Sequence, residues 1–187
     1  MSGRFTIEDS PIAGVKLVRR KRLGDARGFL ERMFCSDELG AAGWVKPVAQ
    51  INRTLTAQVG VVRGMHFQRA PMAEMKLVSC VQGAVFDVVV DLRRGSPTFL
   101  HWFGHTLSAD EDASMLVPEG CAHGLQTLKP DAALLYLHSA PYDAAAEGAI
   151  SALEPRVGVT WPLPISEMSA RDAAHPRLDD SFLGIDV

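Results

Sequence analysis

The middle of the chain is a succession of short apolar runs that glycine and proline residues interrupt. The run at 84–92 contains three consecutive valines, and β-branched residues at this density favour a buried strand. Residues 118–120, Pro-Glu-Gly, separate two further apolar runs and are typical of a turn. Many short strands joined by such turns predict a β-sandwich or a barrel, whereas a doubly wound α/β fold would alternate strands with helices.

The arrangement of these runs makes the prediction more specific. We expect an all-β, cupin-type double-sheet jelly roll with short peripheral helices, whose interior can hold a small ligand. Residues 75–81 and 84–92 lie on either side of Gly83 and predict a β-hairpin. Residues 36–43 and 166–174 each predict a short helix, and the proline-rich tail is otherwise expected to be irregular.

Composition limits the class of protein. A length of 187 residues fits one domain, residues 1–187, and a hydrophobic content of 47% supports a core without metals or disulfides. The net charge of -3, with scattered basic residues, argues against a nucleic-acid partner. Cys35, Cys80 and Cys121 form no C-x-x-C pair, which fits free thiols in a reducing compartment. With no apolar leader and no apolar run of about 18 residues, we expect a cytoplasmic protein outside the membrane.

One apolar run, VVRGMHFQ at 61–68, carries polar residues that a buried strand should not contain. A charge in such a strand must be paired or neutralised. Strict alternation places Arg63 and His66 on opposite faces of the strand, unless Gly64 marks a β-bulge. Further charged residues and histidines lie in or beside the other apolar runs: Lys76, Asp87, Asp91, Arg93, His101, His105 and His123.

Simpler interpretations of these side chains compete with a catalytic one. A lone histidine in a strand is more often a hydrogen-bonded core or surface residue than a catalyst. Cys121 and His123 could form a thiol nucleophile with its base, but an orienting third group is not evident. A cupin metal site typically has an H-x-H pair, which His66 lacks, and the four-residue spacing of His101 and His105 suits a helix. We therefore expect no metal site.

Several motifs occur together in one order along the chain. They are DARGFLERMF (25–34), GVVRGMHFQ (60–68), MKLVSCVQG (75–83), VPEGCAHG (117–124), LLYLHS (134–139) and SARD (169–172). As a set, from about Asp25 to Asp172, they resemble the dTDP-4-dehydrorhamnose 3,5-epimerase family, whose members are cupins. The resemblance implies a nucleotide-linked 4-keto-6-deoxy sugar as the substrate. Its epimerisation at C3, C5 or both needs a base, an acid on the opposite face and a group that stabilises an enolate.

The resemblance also implies a role for individual residues. His66 is the base, and Asp172 fixes its tautomer and stabilises the imidazolium that forms. Tyr136 is the acid on the other face of the sugar, and Lys76 stabilises negative charge on the C4 oxygen. No metal or redox cofactor is implied, because the ketone itself acidifies the neighbouring C–H bonds.

The remaining candidate residues are implied to contact the sugar nucleotide. They are Arg27, Gln50, Asn52, Arg63, His123, Tyr142, Glu147 and Arg171. Arg63 and His123 match sugar-contacting positions, and Tyr142 falls where an aromatic ring stacks on the base. The others match nucleotide- or diphosphate-binding positions, for which arginine is suited by its bidentate guanidinium. The resemblance further implies a homodimer, in which Arg27 of one subunit lies near the ligand of the other.

Four positions depart from the family pattern. Arg32 stands where the family has a nucleotide-binding glutamate, and Glu31 lies one residue away on the opposite face of the strand. Leu100 replaces a usual glycine, Ala152 a usual tryptophan, and Arg171 a usual lysine. Two alternatives therefore stay open: a non-catalytic or altered-specificity sugar-nucleotide-binding cupin, and a metal-dependent cupin oxygenase or isomerase.

Overall fold

The computed structural model describes residues 3–187, which form thirteen strands and two short helices. The elements in chain order are β1 (Phe5–Asp9), β2 (Lys16–Arg20), β3 (Leu23–Asp25), β4 (Gly28–Leu30), α1 (Ser36–Gly40), β5 (Gln50–Thr56), β6 (Val62–Gln68), β7 (Lys76–Gln82), β8 (Ala84–Asp91), β9 (Trp102–Ser108), β10 (Ala113–Val117), β11 (Cys121–Thr127), β12 (Ala132–His138), β13 (Glu147–Ala149) and α2 (Ala170–Ala173). Neither helix within 3–187 has the length or apolar character needed to cross a membrane.

Two antiparallel sheets form the body of the protein. The six-stranded sheet has the order β1-β2-β10-β7-β12-β5, and the five-stranded sheet has the order β13-β6-β11-β8-β9. Strands β3 and β4 form a separate two-stranded hairpin. This arrangement confirms the predicted all-β, double-sheet cupin architecture. The helices α1 and α2 lie inside the two segments that were predicted to be helical.

The valine run of β8 shows why these strands are apolar at successive positions. Val89 lies in the core between the two sheets, together with Leu134 of the six-stranded sheet. Val88 and Val90 face the other way and are covered by the C-terminal tail, including Trp161. Because both faces of β8 are buried, the polar alternation of a half-exposed strand is lost. The tail is therefore a third layer, and it covers the five-stranded sheet.

The predicted hairpin around Gly83 was wrong. Strand β7 pairs with β10 and β12, whereas β8 pairs with β9 and β11, so the chain passes from one sheet to the other at this glycine. Gly83 has a φ of +72°, and a Cβ there would lie 3.0 Å from the Cα of Ala132. Both segments have the composition of strands, but composition does not tell a turn within a sheet from a crossing between sheets.

Strand β6 contains the bulge on which its polar residues depend. His66 pairs with His123 of β11, and Arg63 pairs with Leu125, so three steps along β6 match two steps along β11. The extra residue reverses the facing of the side chains that follow it. Gly64 has a φ of +120°, and a Cβ at this position would lie 2.6 Å from the Cα of Gly124. The bulge at Gly64 is confirmed, and it requires a glycine.

Replacing Gly64 should therefore lower the free energy of unfolding by more than its positive φ alone would explain. Gly43 is a matched control, because it has a φ of +105° and a Cβ added there would have no neighbouring atom within 4 Å. We expect Gly43→Ala to lower the free energy of unfolding by about 1–2 kcal/mol, and Gly64→Ala by about 3 kcal/mol or more. Urea denaturation at one protein concentration measures both. Equal losses in the two variants would show that the close approach to Gly124 is unimportant.

Candidate active site

A cavity of about 210 Å³ opens between the two sheets and is lined mainly by polar side chains. Its walls come from β5, β7 and β12 of the six-stranded sheet and from β6 and β11 of the five-stranded sheet. Six predicted site residues line it: Asn52, Arg63, His66, Lys76, His123 and Tyr136. Arg63 and His66 share this cavity because the bulge at Gly64 turns them to the same side. A concave site of this kind suits a small polar ligand.

His66 is held by a buried carboxylate from the C-terminal tail. Its Nε2 lies 2.8 Å from Oδ1 of Asp172, and the amide of Asp172 donates a 3.0 Å hydrogen bond to the hydroxyl of Ser169, which caps α2. Burial is the main effect that lowers the pKa of His66 below its usual 6.5; Asp172 opposes the shift, and Lys76 adds to it. The ring is therefore neutral at neutral pH, and it can accept a proton.

His175 lies beside this pair and was missed by the sequence analysis. Its Nε2 lies 3.1 Å from Nε2 of His66 and 3.1 Å from Oδ1 of Asp172. His175 follows Asp172 by three residues, a spacing that brings side chains together on one helical turn. That spacing was the one signal in the sequence that could have joined His175 to the site.

The sequence analysis also missed Glu74, which pairs with Lys76, and His138, which holds Glu74. Nζ of Lys76 lies 3.2 Å from Oε1 of Glu74 and donates a 3.2 Å hydrogen bond to the carbonyl of His66. The other carboxylate oxygen of Glu74 lies 2.7 Å from Nδ1 of His138. Burial would raise the pKa of Glu74, but its hydrogen bond with His138 and the charge of Lys76 outweigh it and lower the pKa. Because His138 follows Tyr136 by two residues, strand alternation could have identified it.

Tyr136 stands on the opposite wall of the cavity from His66. It belongs to β12 of the six-stranded sheet, whereas His66 belongs to β6 of the five-stranded sheet. Burial, reinforced by the charge of Asp87, raises the pKa of Tyr136 well above its usual value. Its ring packs edge-on against His123 at 5.9 Å, and Nε2 of His123 lies 2.7 Å from Oδ1 of the fully buried Asp87. The phenol therefore keeps its proton.

A second group of predicted residues lies close to α2 and forms its own network. The amide of Tyr142 donates a 3.0 Å hydrogen bond to the side chain of Gln50, and its hydroxyl donates a 3.0 Å bond to Glu147. Arg171 forms an ion pair with the same Glu147. Burial would raise the pKa of Glu147, but the hydrogen bonds from Arg171 and Tyr142 lower it.

Arg27 is not brought to either group. Its side chain is 89% exposed in the β3–β4 hairpin, where it pairs with Asp25 at 2.6 Å. Arg32, which departs from the family pattern, and its neighbour Glu31 also form ion pairs away from these two groups of residues. Arg32 pairs with Glu38, and Glu31 forms a buried ion pair with Arg20 at 2.7 Å. Neither Glu31 nor Arg32 lines the cavity between the sheets.

Local structure bears on two other residues from the sequence analysis, Cys121 and Leu100. Burial raises the pKa of the Cys121 thiol to about 12, so Cys121 is not a thiolate nucleophile at neutral pH. Leu100, which replaces a usual glycine, has a φ of +62°, in the left-handed region that glycine adopts most easily.

Known proteins resemble this chain in sequence and in fold. The family model for dTDP-4-dehydrorhamnose 3,5-epimerase matches residues 9–180. A dTDP-4-dehydrorhamnose 3,5-epimerase of Sinorhizobium fredii is 40% identical over 168 residues, which cover 89% of this chain and 86% of the relative.

Solved structures show the same likeness. The dTDP-6-deoxy-D-glucose-3,5-epimerase of Legionella pneumophila, in complex with dTDP-4-keto-L-rhamnose, is 34% identical, with a TM-score of 0.90 over 98% of each chain. A 3'-monoepimerase of Streptomyces bikiniensis, in complex with dTDP-quinovose, is 33% identical, with a TM-score of 0.82 over 90% of this chain and 85% of the other. Because the family model, the relatives and the solved structures match this chain in sequence and in fold over nearly its whole length, the chain belongs to the dTDP-4-dehydrorhamnose 3,5-epimerase family.

Proposed function

We propose that the protein epimerises a dTDP-4-keto-6-deoxyhexose at C3, C5 or both, in rhamnose or deoxysugar biosynthesis. The observation that carries the proposal is the pair of proton-transfer groups on opposite walls of one cavity. His66 is neutral and held by Asp172, and Tyr136 is protonated. A carbon between the two sheets can lose a proton to one wall and gain a proton from the other, which inverts its configuration.

The first half of the reaction belongs to His66. Its Nε2 is held by Asp172, so Nδ1 is the nitrogen that remains to take the proton next to the sugar ketone. Asp172 stabilises the imidazolium that results, as the carboxylate of a catalytic triad does. The electron pair moves into the ketone and leaves an enolate oxygen at C4. Lys76 carries the ammonium that would stabilise this oxygen, and Glu74 holds that ammonium at the cavity wall.

The second half of the reaction belongs to Tyr136. Its phenol delivers a proton to the opposite face of the enolate carbon, and its raised pKa keeps that proton available until the carbanion forms. Both C3 and C5 lie next to the C4 ketone, so the same chemistry is available to either carbon that is brought between the two walls. The relatives include a 3,5-epimerase and a 3'-monoepimerase, so membership of the family leaves the number of inverted centres open.

The network around Glu147 is proposed to bind the nucleotide. Arg171 is suited to the diphosphate, and the exposed ring of Tyr142 is available to stack on the base. Gln50 and Glu147 hold Tyr142 in place. Inside the cavity, Arg63 and His123 are proposed to contact the sugar. Asn52 lines the same cavity and is proposed to contact the sugar as well, in place of the nucleotide or diphosphate that the resemblance implied for it. A non-catalytic binding role is not favoured, because all four proposed catalytic positions are filled by suitable groups.

A homodimer is also proposed, on the strength of exposed apolar residues. Phe29 and Leu30 on the β3–β4 hairpin are 61% and 62% exposed. Ile51 and Leu55 are exposed on β5, an edge strand of the six-stranded sheet. A hairpin that packs on β5 of a partner would cover both surfaces and bring Arg27 towards Asn52 at the partner's cavity.

The free cysteines support a cytoplasmic location for the enzyme.

The two proton-transfer roles can be separated in one experiment in heavy water. With dTDP-4-keto-6-deoxyglucose as the substrate, His66→Asn should lose both solvent exchange and product, because no group removes the proton. Tyr136→Phe should keep some exchange of label into recovered substrate but form at least about 10²-fold less inverted product. NMR follows both signals in one sample, and the exposed His101→Asn should retain both. Parallel loss of exchange and product in Tyr136→Phe would contradict its role as the acid.

The pH dependence of kcat/KM tests the pairing of His66 with Asp172. Because the pKa of His66 is lowered and the base must be neutral, activity should fall as the pH drops through a midpoint below 6.5. Asp172 favours the charged ring, so Asp172→Asn should move this midpoint to still lower pH. The same variant should lose about 10²-fold or more of its plateau activity, because the ring is no longer oriented. The exposed Asp110→Asn is the control; a midpoint that rises in Asp172→Asn would contradict the assignment.

The dimer prediction concerns the hairpin surface. Leu30→Asp should weaken association and raise KM, because a charge would be buried in the interface and Arg27 would leave the partner's site. Leu183→Asp is the matched control, since Leu183 is 65% exposed in the C-terminal tail, between Phe182 and Ile185, which pack on the five-stranded sheet. Light scattering at the assay concentration measures the mass. A fully active wild-type monomer would contradict the proposal.

A further inference from the structure

Three metal-ligating atoms converge where the base meets the C-terminal tail. Nε2 of His66, Nε2 of His175 and Oδ1 of Asp172 form a nearly equilateral triangle with sides of 2.8, 3.1 and 3.1 Å. The two imidazole rings stand almost perpendicular, at 88°. Among residues 3–187, these three residues form the one group of histidine, cysteine or acidic side chains whose ligand atoms all lie within 4.8 Å of one another.

Hydrogen bonds crowd this triangle. If both imidazoles donate to Oδ1 of Asp172, two N–H groups converge on one oxygen while their nitrogens lie 3.1 Å apart. If His175 instead accepts a hydrogen bond at Nε2, it offers a lone pair next to the carboxylate oxygen. A single cation at the centre would replace these hydrogens and bind all three lone pairs.

The size of the triangle suits a first-row divalent cation. Zinc binds imidazole nitrogen and carboxylate oxygen at about 2.0–2.1 Å, so the ligand atoms of a tetrahedral site lie about 3.3 Å apart. Each side of the triangle would need to widen by only about 0.2–0.5 Å. Two imidazoles and one carboxylate favour zinc over magnesium or calcium, which prefer sites made of oxygen alone.

The surroundings give a cation access to the triangle. The side chain of His66 is 34% exposed and lines both the cavity between the sheets and a second cavity beside α2. Lys76 and Arg171 are each paired with a carboxylate, Glu74 and Glu147 respectively, whereas Arg63, which lines both cavities, bonds to the hydroxyl of Thr56. The carboxylate of Asp172 supplies the negative charge of the triangle itself.

We propose that His66, Asp172 and His175 form an inhibitory zinc site. This proposal rests on the proposed function, because two of the three ligands are the base and its carboxylate partner. Zinc bound there occupies the oxygen that orients His66 and places a divalent charge next to a ring that must itself become positive. Free zinc therefore competes with proton abstraction instead of assisting it.

Direct binding tests the site without reference to catalysis. The whole chain, stripped with a chelator and carrying Cys35→Ser to remove the half-buried thiol, is titrated with Co²⁺. We expect a visible absorption band that saturates at one ion per chain and disappears when one equivalent of Zn²⁺ is added. His175→Gln should weaken Co²⁺ binding at least about tenfold. His101→Gln, which removes an exposed histidine outside the triangle, should leave it unchanged.

Inhibition provides the second measurement. Zn²⁺ should inhibit solvent exchange and product formation reversibly, with recovery on chelation, and His175→Gln should require at least about tenfold more Zn²⁺, relative to its own zinc-free rate. Absence of the Co²⁺ band in the wild-type protein would overturn the zinc site even if the enzyme is an active epimerase. A band that survives unchanged in His175→Gln would do the same. Loss of the proposed function would instead show as an inactive protein that still binds Co²⁺.

Discussion

The contact between His66 and Asp172 joins two parts of the chain that are 106 residues apart, and much of the fold is needed to make it. The bulge at Gly64 turns His66 into the cavity. The C-terminal tail crosses the outer face of the five-stranded sheet, where Trp161 and Ile165 pack against its valines. Burial of this apolar tail fixes the position of the carboxylate, so the orientation of the proposed base depends on packing as well as on one hydrogen bond.

The same principle is repeated around the cavity. Three imidazoles are each held by a carboxylate: His66 by Asp172, His123 by Asp87, and His138 by Glu74. Asp87 and Asp172 lie behind the imidazoles that they hold, whereas Glu74 lines the cavity beside the ammonium of Lys76. A ketone that acquires negative charge therefore meets hydrogen-bond donors near it, with most of the acidic groups behind them. An exposed row of carboxylates would repel the enolate that the reaction requires.

Local patterns in the sequence predicted the strands from β6 to β12 and the two short helices, and they identified Gly64 as the position where a bulge would bring Arg63 and His66 to one face. Each of these features depends on residues that are close in the chain. The hairpin at Gly83 was wrong, because the partner of a strand is decided by the layer that covers it. Glu74, which pairs with Lys76, and His138, which holds Glu74, were missed, since neither stands out within its own segment. His175 was missed because its meaning depends on His66, 109 residues away. Six of the residues that the motifs identified line one cavity. Arg27 lies apart from the cavity of its own chain and pairs with Asp25.

The division of the two proposed proton-transfer groups between two sheets has a consequence for how stereochemical outcome evolves. The gap that the sugar must fit depends on the thickness of the apolar layer between the sheets, to which Val89 and Leu134 belong. A methyl group gained or lost in that layer would alter the gap without touching the ligand. Control over which ring carbon is presented to both walls therefore extends into the hydrophobic interior, and differences between single and double inversion can be encoded by residues that never contact the sugar.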